Sequence, residues 1–221
     1  MFDFPSSAKL ERTIPKSAFS TRYGTSGSAT VKFPPGLKDQ FRTLVDQIVL
    51  EYDFQECSTM LQAVNIREIM VMTINFKQKP KDEKLVEFLL RNNPHKILCV
   101  VQSPDADDVV ALMAEGSFYA VPYQGQTFHI SGRTLDQAWE SLVEQAVLFD
   151  EPASNEPLAR RLQKRSQRLK WIAEIDKLEK RKNKEVQPAK KIDLHHQILS
   201  LREKLRRLTE PTTDNSQENN R

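Results

Sequence analysis

Asn75 and Lys77, at the end of the stretch "EIMVMTINFKQ" (68–78), come closest in this chain to a catalytic pair. The stretch alternates as a strand does. Ile69, Val71, Thr73, Asn75 and Lys77 therefore share one face, and Met70, Met72, Ile74 and Phe76 share the other. An acid, a spacer and a lysine in that order are the strand pattern of many metal-dependent nucleases. There a carboxylate holds a hard divalent cation, and the cation generates hydroxide and neutralises transition-state charge. Here the acid position holds an amide, a poor ligand for such an ion. Glu68 lies a full strand length from Lys77. The strand has the geometry of that chemistry without its charge, and no catalytic residue is assigned.

The other candidates reduce to structure. Asp105, Asp107 and Asp108 in "SPDADD" could hold a cation, but Pro and Asp between two strands are turn formers, and no Gly or distal Glu completes a calcium loop. His195 and His196 are adjacent on a helix, roughly 100° apart, so they do not ligate together as an i, i+4 pair would. Neither Cys57 nor Cys99 is spaced to join His95 or His129. No metal site and no cofactor are expected. There is no G-x-S-x-G and no G-K-[ST], and 6 glycines leave little material for a nucleotide cradle.

Charge is the stronger signal. The net charge of +3 is the sum of −5 over residues 1–155, +10 over 156–208 and −2 over 209–221. Arg160, Arg161, Lys164, Arg165, Arg168 and Lys170 cluster within eleven residues, and Lys180, Arg181, Lys182 and Lys184 follow. Three readings stay open for this segment. It is a solvated coiled-coil face, a contact to nucleic-acid phosphates, or a dock for an acidic partner.

Elements must position these groups. Residues 1–36 read as an irregular arm punctuated by Pro5, Pro15, Pro34 and Pro35 and by Gly24, Ser26, Gly27 and Ser28. Its Phe2, Phe4, Leu10, Ile14 and Phe19 predict that it lies across the domain. Leu37, Phe41, Leu44, Val45, Ile48, Val49 and Tyr52 fall at helical spacing, which predicts a helix over 37–54. Strands follow at 66–77, 96–102, 108–115, 117–123 and 127–130, with a helix at 81–92 between the first two. Thr134 and Gln137 form the T-x-x-Q pattern that opens another helix. Residues 1–150 thus form an α/β (α+β) domain on a mixed sheet.

Residues 151–157 read as a linker. Over 158–208 the expectation is an antiparallel helical hairpin, a coiled coil broken near Pro188. Leu194, Ile198, Leu201, Leu205 and Leu208 step by 4, 3, 4 and 3, an a/d seam. Upstream, Leu158, Leu162, Leu169, Ile172, Ile175 and Leu178 form a less regular stripe. Residues 209–221 read as a disordered tail. No apolar run approaches a membrane span, no leader opens the chain, and the two separated cysteines fit a reducing compartment. A soluble cytoplasmic protein is expected.

Several stretches together resemble an uncharacterised bacterial family, a domain of unknown function. They are "KLERTIPKSAF" (9–19), "LKDQFRTLVDQIVLEYDF", "EIMVMTINFKQ", "DEKLVEFLLRNNPHKILCVV", "LDQAWESLVEQAV" and the charged hairpin, nearly the whole chain. The resemblance implies genes beside helicases and DNA methyltransferases in restriction-type or antiphage defence clusters. It therefore implies a non-catalytic accessory subunit that docks on a helicase-type partner, with possible DNA contact. In that family the strand ends acid–apolar–lysine, whereas this chain has Asn75. The alternatives are a degenerate or active metal-dependent nuclease-like enzyme, and a structural protein that homodimerises through the 194–208 seam.

Overall fold

The alternating stretch around residue 70 is an inner strand of a six-stranded sheet. The computed structural model describes residues 1–17, 33–152 and 154–209. Phe19, the Gly/Ser cluster at 24–28 and the tail 210–221 lie outside the described residues. The chain divides into two compact units, Met1–Pro152 and Ala153–Arg221.

In chain order the first unit runs β1 (Phe2–Asp3), a 3-10 turn (Ser6–Ala8), β2 (Lys9–Thr13), α1 (Pro35–Leu44) and β3 (Val45–Phe54). It continues with the short α2 (Glu56–Thr59), β4 (Ile69–Phe76), α3 (Lys84–Arg91) and β5 (Lys96–Ser103). It closes with β6 (Ala106–Ala114), β7 (Ser117–Pro122), β8 (Phe128–His129) and α4 (Leu135–Val147). The sheet order is β2-β3-β4-β5-β6-β7. Strands β4 and β5 are parallel and joined through α3, and the other neighbours are antiparallel. This is an α+β unit on a mixed sheet.

Strand β4 is buried on both faces, which explains its nearly continuous apolar run. Met70, Met72, Ile74 and Phe76 pack in one cluster with Leu85, Val86, Leu89 and Leu90 of α3 and Phe41 of α1. Helix α4 packs on β6 and β7 and buries Leu135, Ala138, Trp139, Leu142, Val143 and Ala146. Its start is half a capping box. Thr134 Oγ1 accepts the Gln137 N–H at 3.1 Å, but Gln137 Oε1 accepts from the Arg133 N–H rather than from Thr134. Gly132 precedes it at φ +112°, where a Cβ would lie 2.6 Å from that of Gln137, so the close approach requires glycine. The β6–β7 hairpin turns at Glu115 and Gly116, with φ of 47° and 70°. Two consecutive positive φ values match the tight turn that suits strand twist.

Two expectations are corrected. The helix assigned to 37–54 ends at Leu44, and residues 45–54 are strand β3. Its pairing with β4 shifts register between Val45 and Gln47 and again between Leu50 and Tyr52. These bulges leave Val45, Ile48, Leu50 and Phe54 as the buried positions. Spacings of three, two and four imitate a helix, because each bulge resets the two-residue alternation. The arm is also not wholly irregular. Strand β2 is the sheet's edge, with all five residues exposed, so no apolar face marked it. Its Lys9, Glu11 and Arg12 are the charges that keep an edge from pairing further.

The second unit is a helical hairpin of α5 (Leu158–Lys184) and α6 (Pro188–Thr209), joined by residues 185–187. Ile175 and Leu178 pack against Leu194, Ile198 and Leu201. Leu205 and Leu208 are half-buried. The expected stripe on α5 is only partly internal, since Leu169 and Ile172 are exposed by 50% and 40%. Among the described residues no helix is long and apolar enough to cross a membrane.

Candidate functional site

At the far end of β4 the sheet builds a row of amides. Gln47, Asn75 and Gln102 are register partners across β3, β4 and β5. Gln47 Nε2 donates to Thr13 Oγ1 and Gln102 Nε2 donates to Asp108 Oδ2, both at 2.8 Å. The strand neighbours of Asn75 are therefore neutral donors and acceptors rather than carboxylates. Lys77 follows the strand as an exposed side chain, and its N–H donates to the Leu44 carbonyl at 2.8 Å. Glu68 precedes Ile69, so roughly 30 Å of extended chain separates it from Lys77. Asp105 lies in the β5–β6 turn, and Asp107 and Asp108 open β6.

Glu68 belongs instead to a cluster that sequence reasoning missed. Asp53 is the last residue but one of β3, Glu68 precedes β4 and His95 precedes β5. Because β3 runs antiparallel to β4 and β4 parallel to β5, these three strand ends meet at one end of the sheet's inner strands. Gln55 Nε2 donates to Asp53 Oδ2 at 2.9 Å and to Glu68 Oε1 at 3.4 Å. His95 Nδ1 lies 2.6 Å from Glu68 Oε2. Burial lowers the His95 pKa from its usual value, with the Asp53 charge opposing it. Burial first, and the Glu68 charge second, raise Asp53 from 3.8 to about 6. Its Oδ1 is buried without a partner. The arrangement can hold a proton between two carboxyls. Among the described residues no group of three or more His, Cys, Asp or Glu is arranged to hold a metal ion.

The stability consequence has a definite sign. The folded state keeps the Asp53 proton over the window from 3.8 to about 6 in which the unfolded chain has released it. Stability therefore falls as pH rises through that window. Asp53→Asn removes the penalty and supplies an N–H for Glu68. A gain of about 1 kcal/mol above pH 7, discounted because the group is half exposed to solvent, should appear as a rise in Tm of about 2–4 °C. The gain should vanish below pH 4. Thermal unfolding of both proteins between pH 3.5 and 8 measures it, and an equal gain at every pH would contradict the cause assigned.

The basic hairpin is not a uniform surface. In the first cluster Arg160 is exposed, while Arg161, Lys164 and Arg168 are half-buried and Arg165 is 8% exposed. Lys164 Nζ donates to Glu156 Oε1 at 2.7 Å, and Arg160 Nε lies 3.8 Å from the same oxygen. That hydrogen bond, with the surrounding cations, holds the Glu156 carboxyl below its usual range. The later residues face outward: Lys170, Lys180, Arg181 and Lys184 are exposed, and Lys182 is half-buried. With Lys177, also exposed, Lys170, Lys180 and Lys184 fall at intervals of seven, three and four, one line along α5. Lys177 escaped the sequence reading because the candidates followed runs of charge rather than the helical period. Lys180 and Lys184 have no carboxylate at ion-pair distance among the described residues. The seam residues Leu194, Ile198 and Leu201 face α5 within the hairpin.

A family model described as "Domain of unknown function" (DUF4391) matches residues 2–119, which run from β1 into β7. The expected resemblance reached further, through α4 and the hairpin. No curated protein and no solved structure matches the chain.

Proposed function

The chain belongs to the DUF4391 family, and from that premise we propose that it is a non-catalytic accessory subunit whose helical hairpin docks on a partner. The partner proposed is a helicase-type protein of a bacterial restriction-type or antiphage assembly in the cytoplasm. The observation that carries this reading is the line of exposed lysines, Lys170, Lys177, Lys180 and Lys184, on a hairpin with its own small core. A solvated coiled coil balances its charges, and most exposed pairs contribute little. Here the segment carries +10, a field that draws an acidic surface or a phosphate backbone and speeds encounter with it. The amide row around Asn75 supports the non-catalytic half of the proposal.

Replacing the four lysines with glutamate tests it. Co-purification of the helicase-type protein from the native host should fall at least tenfold, with the helical circular dichroism of the chain retained. Unchanged capture together with unchanged DNA affinity would reduce the lysine line to solvated surface. Mg²⁺- or Mn²⁺-dependent DNA cleavage lost in Lys77→Ala would overturn the non-catalytic reading.

A further inference from the structure

The six-stranded sheet has two edges, and they differ in kind. Strand β2 is guarded by Lys9, Glu11 and Arg12 and by a register shift between Lys9 and Arg12. Strand β7 ends the sheet on the other side and has no such guard. Residues 116–132 contain no Asp, Glu, Lys or Arg, in a chain that is 29% charged. The Tyr123 N–H donates to the Asp108 carbonyl at 2.8 Å, and the β6–β7 pairs run from Val109–Pro122 to Ala114–Ser117. Antiparallel pairing alternates, so Val121, Tyr119 and Ser117 turn their backbone groups to β6. Phe118 and Ala120 turn theirs outward, and Pro122, also outward, has no N–H to offer. Phe118 and Ala120 line an apolar cavity of about 180 Å³ with Val86 of α3 and Val109 and Ala111 of β6. The charged residues on that cavity, Lys79, Lys81, Asp82, Glu83 and Asp107, come from the 79–83 loop and the start of β6, not from β7.

We infer that β7 pairs with β7 of a second copy, antiparallel about a two-fold axis at Tyr119, so that one sheet runs through both. This goes beyond the docking role proposed for the hairpin and does not depend on it. The register is self-complementary. It sets Phe118 opposite Ala120 of the copy, large against small, and symmetry repeats the contact. Each of these pairs exchanges two hydrogen bonds, which uses every outward N–H of the strand and leaves Pro122 at the ladder's end. Tyr119 meets its own copy at the closer spacing of a non-hydrogen-bonded pair. A register centred on Ala120 would set Phe118 against Pro122, which cannot return the bond. Charge permits the pairing. Glu115 falls opposite Tyr123 of the copy, so the two Glu115 residues lie about 27 Å apart along the strands, beyond a Debye length. Arg91 donates to the Gly116 carbonyl at 3.4 Å, and the two Gly116 residues lie about 20 Å apart by the same count. Helix α4 packs on β6 and β7. A helix seated midway over that pair lies about 10 Å from its copy, ordinary helix spacing, so it does not block the axis. Of the acids on α4, Asp136 accepts the Asn65 and Ile66 N–H groups, Glu144 is half-buried and Glu140 is exposed. Residues 1–155 carry −5 on each copy, so added salt screens repulsion and leaves the backbone pairing intact.

Sedimentation of the full chain tests this. An edge-to-edge interface is of the small, weak class, so the dimer should form at about 100 µM protein and dissociate on dilution. It should hold or tighten at about 0.5 M salt. Ala120→Pro removes an outward N–H that β6 does not use, and Phe118→Lys puts a cation on the apolar wall. Symmetry makes each substitution count twice, so each should weaken dimerisation at least about tenfold. Circular dichroism should stay unchanged in both. Amide hydrogen exchange supplies a readout that a folding defect would not mimic. In the dimer the Phe118 and Ala120 amides should be protected like those of Tyr119 and Val121. In the dilute monomer only Tyr119 and Val121 should stay protected. A monomer at about 100 µM would overturn the inference. A dimer that neither variant weakens would overturn it too, by placing the contact elsewhere. Protection of Phe118 and Ala120 in a monomer, or only on adding the helicase-type protein, would give the edge a different occupant and equally overturn it.

Discussion

Replacing Phe54 with alanine is expected to cost the first unit about 4 kcal/mol, the range for deleting a fully buried ring. Phe54 is 0% exposed at the end of β3. Its ring stands edge-on to Phe4 at 5.0 Å and stacks at 6.1 Å on Tyr52. Phe4 in turn meets Phe2 and Tyr52 at 5.2 and 5.1 Å, and Phe2 reaches Phe128, its partner in the β1–β8 pairing. Removing Phe54 therefore leaves a cavity and also releases the ring that seats the N-terminal segment. Each aromatic pair adds about 1 kcal/mol beyond burial. Thermal unfolding should show a drop in Tm of about 8–16 °C for a unit of this size. Phe2→Ala, at a half-buried position, should cost clearly less. A loss under 1 kcal/mol for Phe54→Ala would mean that the cluster contributes little to holding β1 and β8.

Ile198→Asp is expected to unfold the hairpin. Ile198 is 2% exposed, and four buried residues, Ile175, Leu178, Leu194 and Ile198, make up that cluster. So small a core has little to spare, and burying an unpaired carboxylate among aliphatic side chains costs several kcal/mol. Most of the stability of a helix in a protein comes from tertiary packing of its apolar face, which this substitution disrupts. The loss should therefore appear as reduced helical circular dichroism and rapid proteolysis within 188–208. Leu208→Asp, at a half-buried seam position near the helix end, should change stability by less than 1 kcal/mol. Equal effects at the two positions would place the seam against something other than α5. Partner capture should follow Ile198→Asp down, because the lysine line depends on the helices being formed.

Local signals were legible where the physics is local. Thr134 marks a helix start because a side-chain oxygen takes an orphan N–H one turn on. Glu115 and Gly116 mark a tight turn because the backbone there has positive φ. The apolar run of β4, the helix at 84–91 and the break before Pro188 are likewise properties of neighbouring residues, and so is the excess of positive charge over 156–208.

Contacts between distant segments were not legible. Two bulges gave β3 a helix-like spacing that only its pairing with β4 resolves. Strand β2 hides in charged sequence because an edge needs a neighbour, not an apolar face. Asp53, Glu68 and His95 lie 15 and 27 residues apart and meet only because strand order brings three ends together. The same holds for the hairpin. By itself the sequence determined that the segment is helical, basic and seamed with leucine. The tertiary structure decided that the seam is internal, that Leu169 and Ile172 fall outside it, and that Arg165 is covered while Lys177 is not. Helical phase within one chain segment is set by 3.6 residues per turn, but which phase faces the partner helix is set by packing between segments.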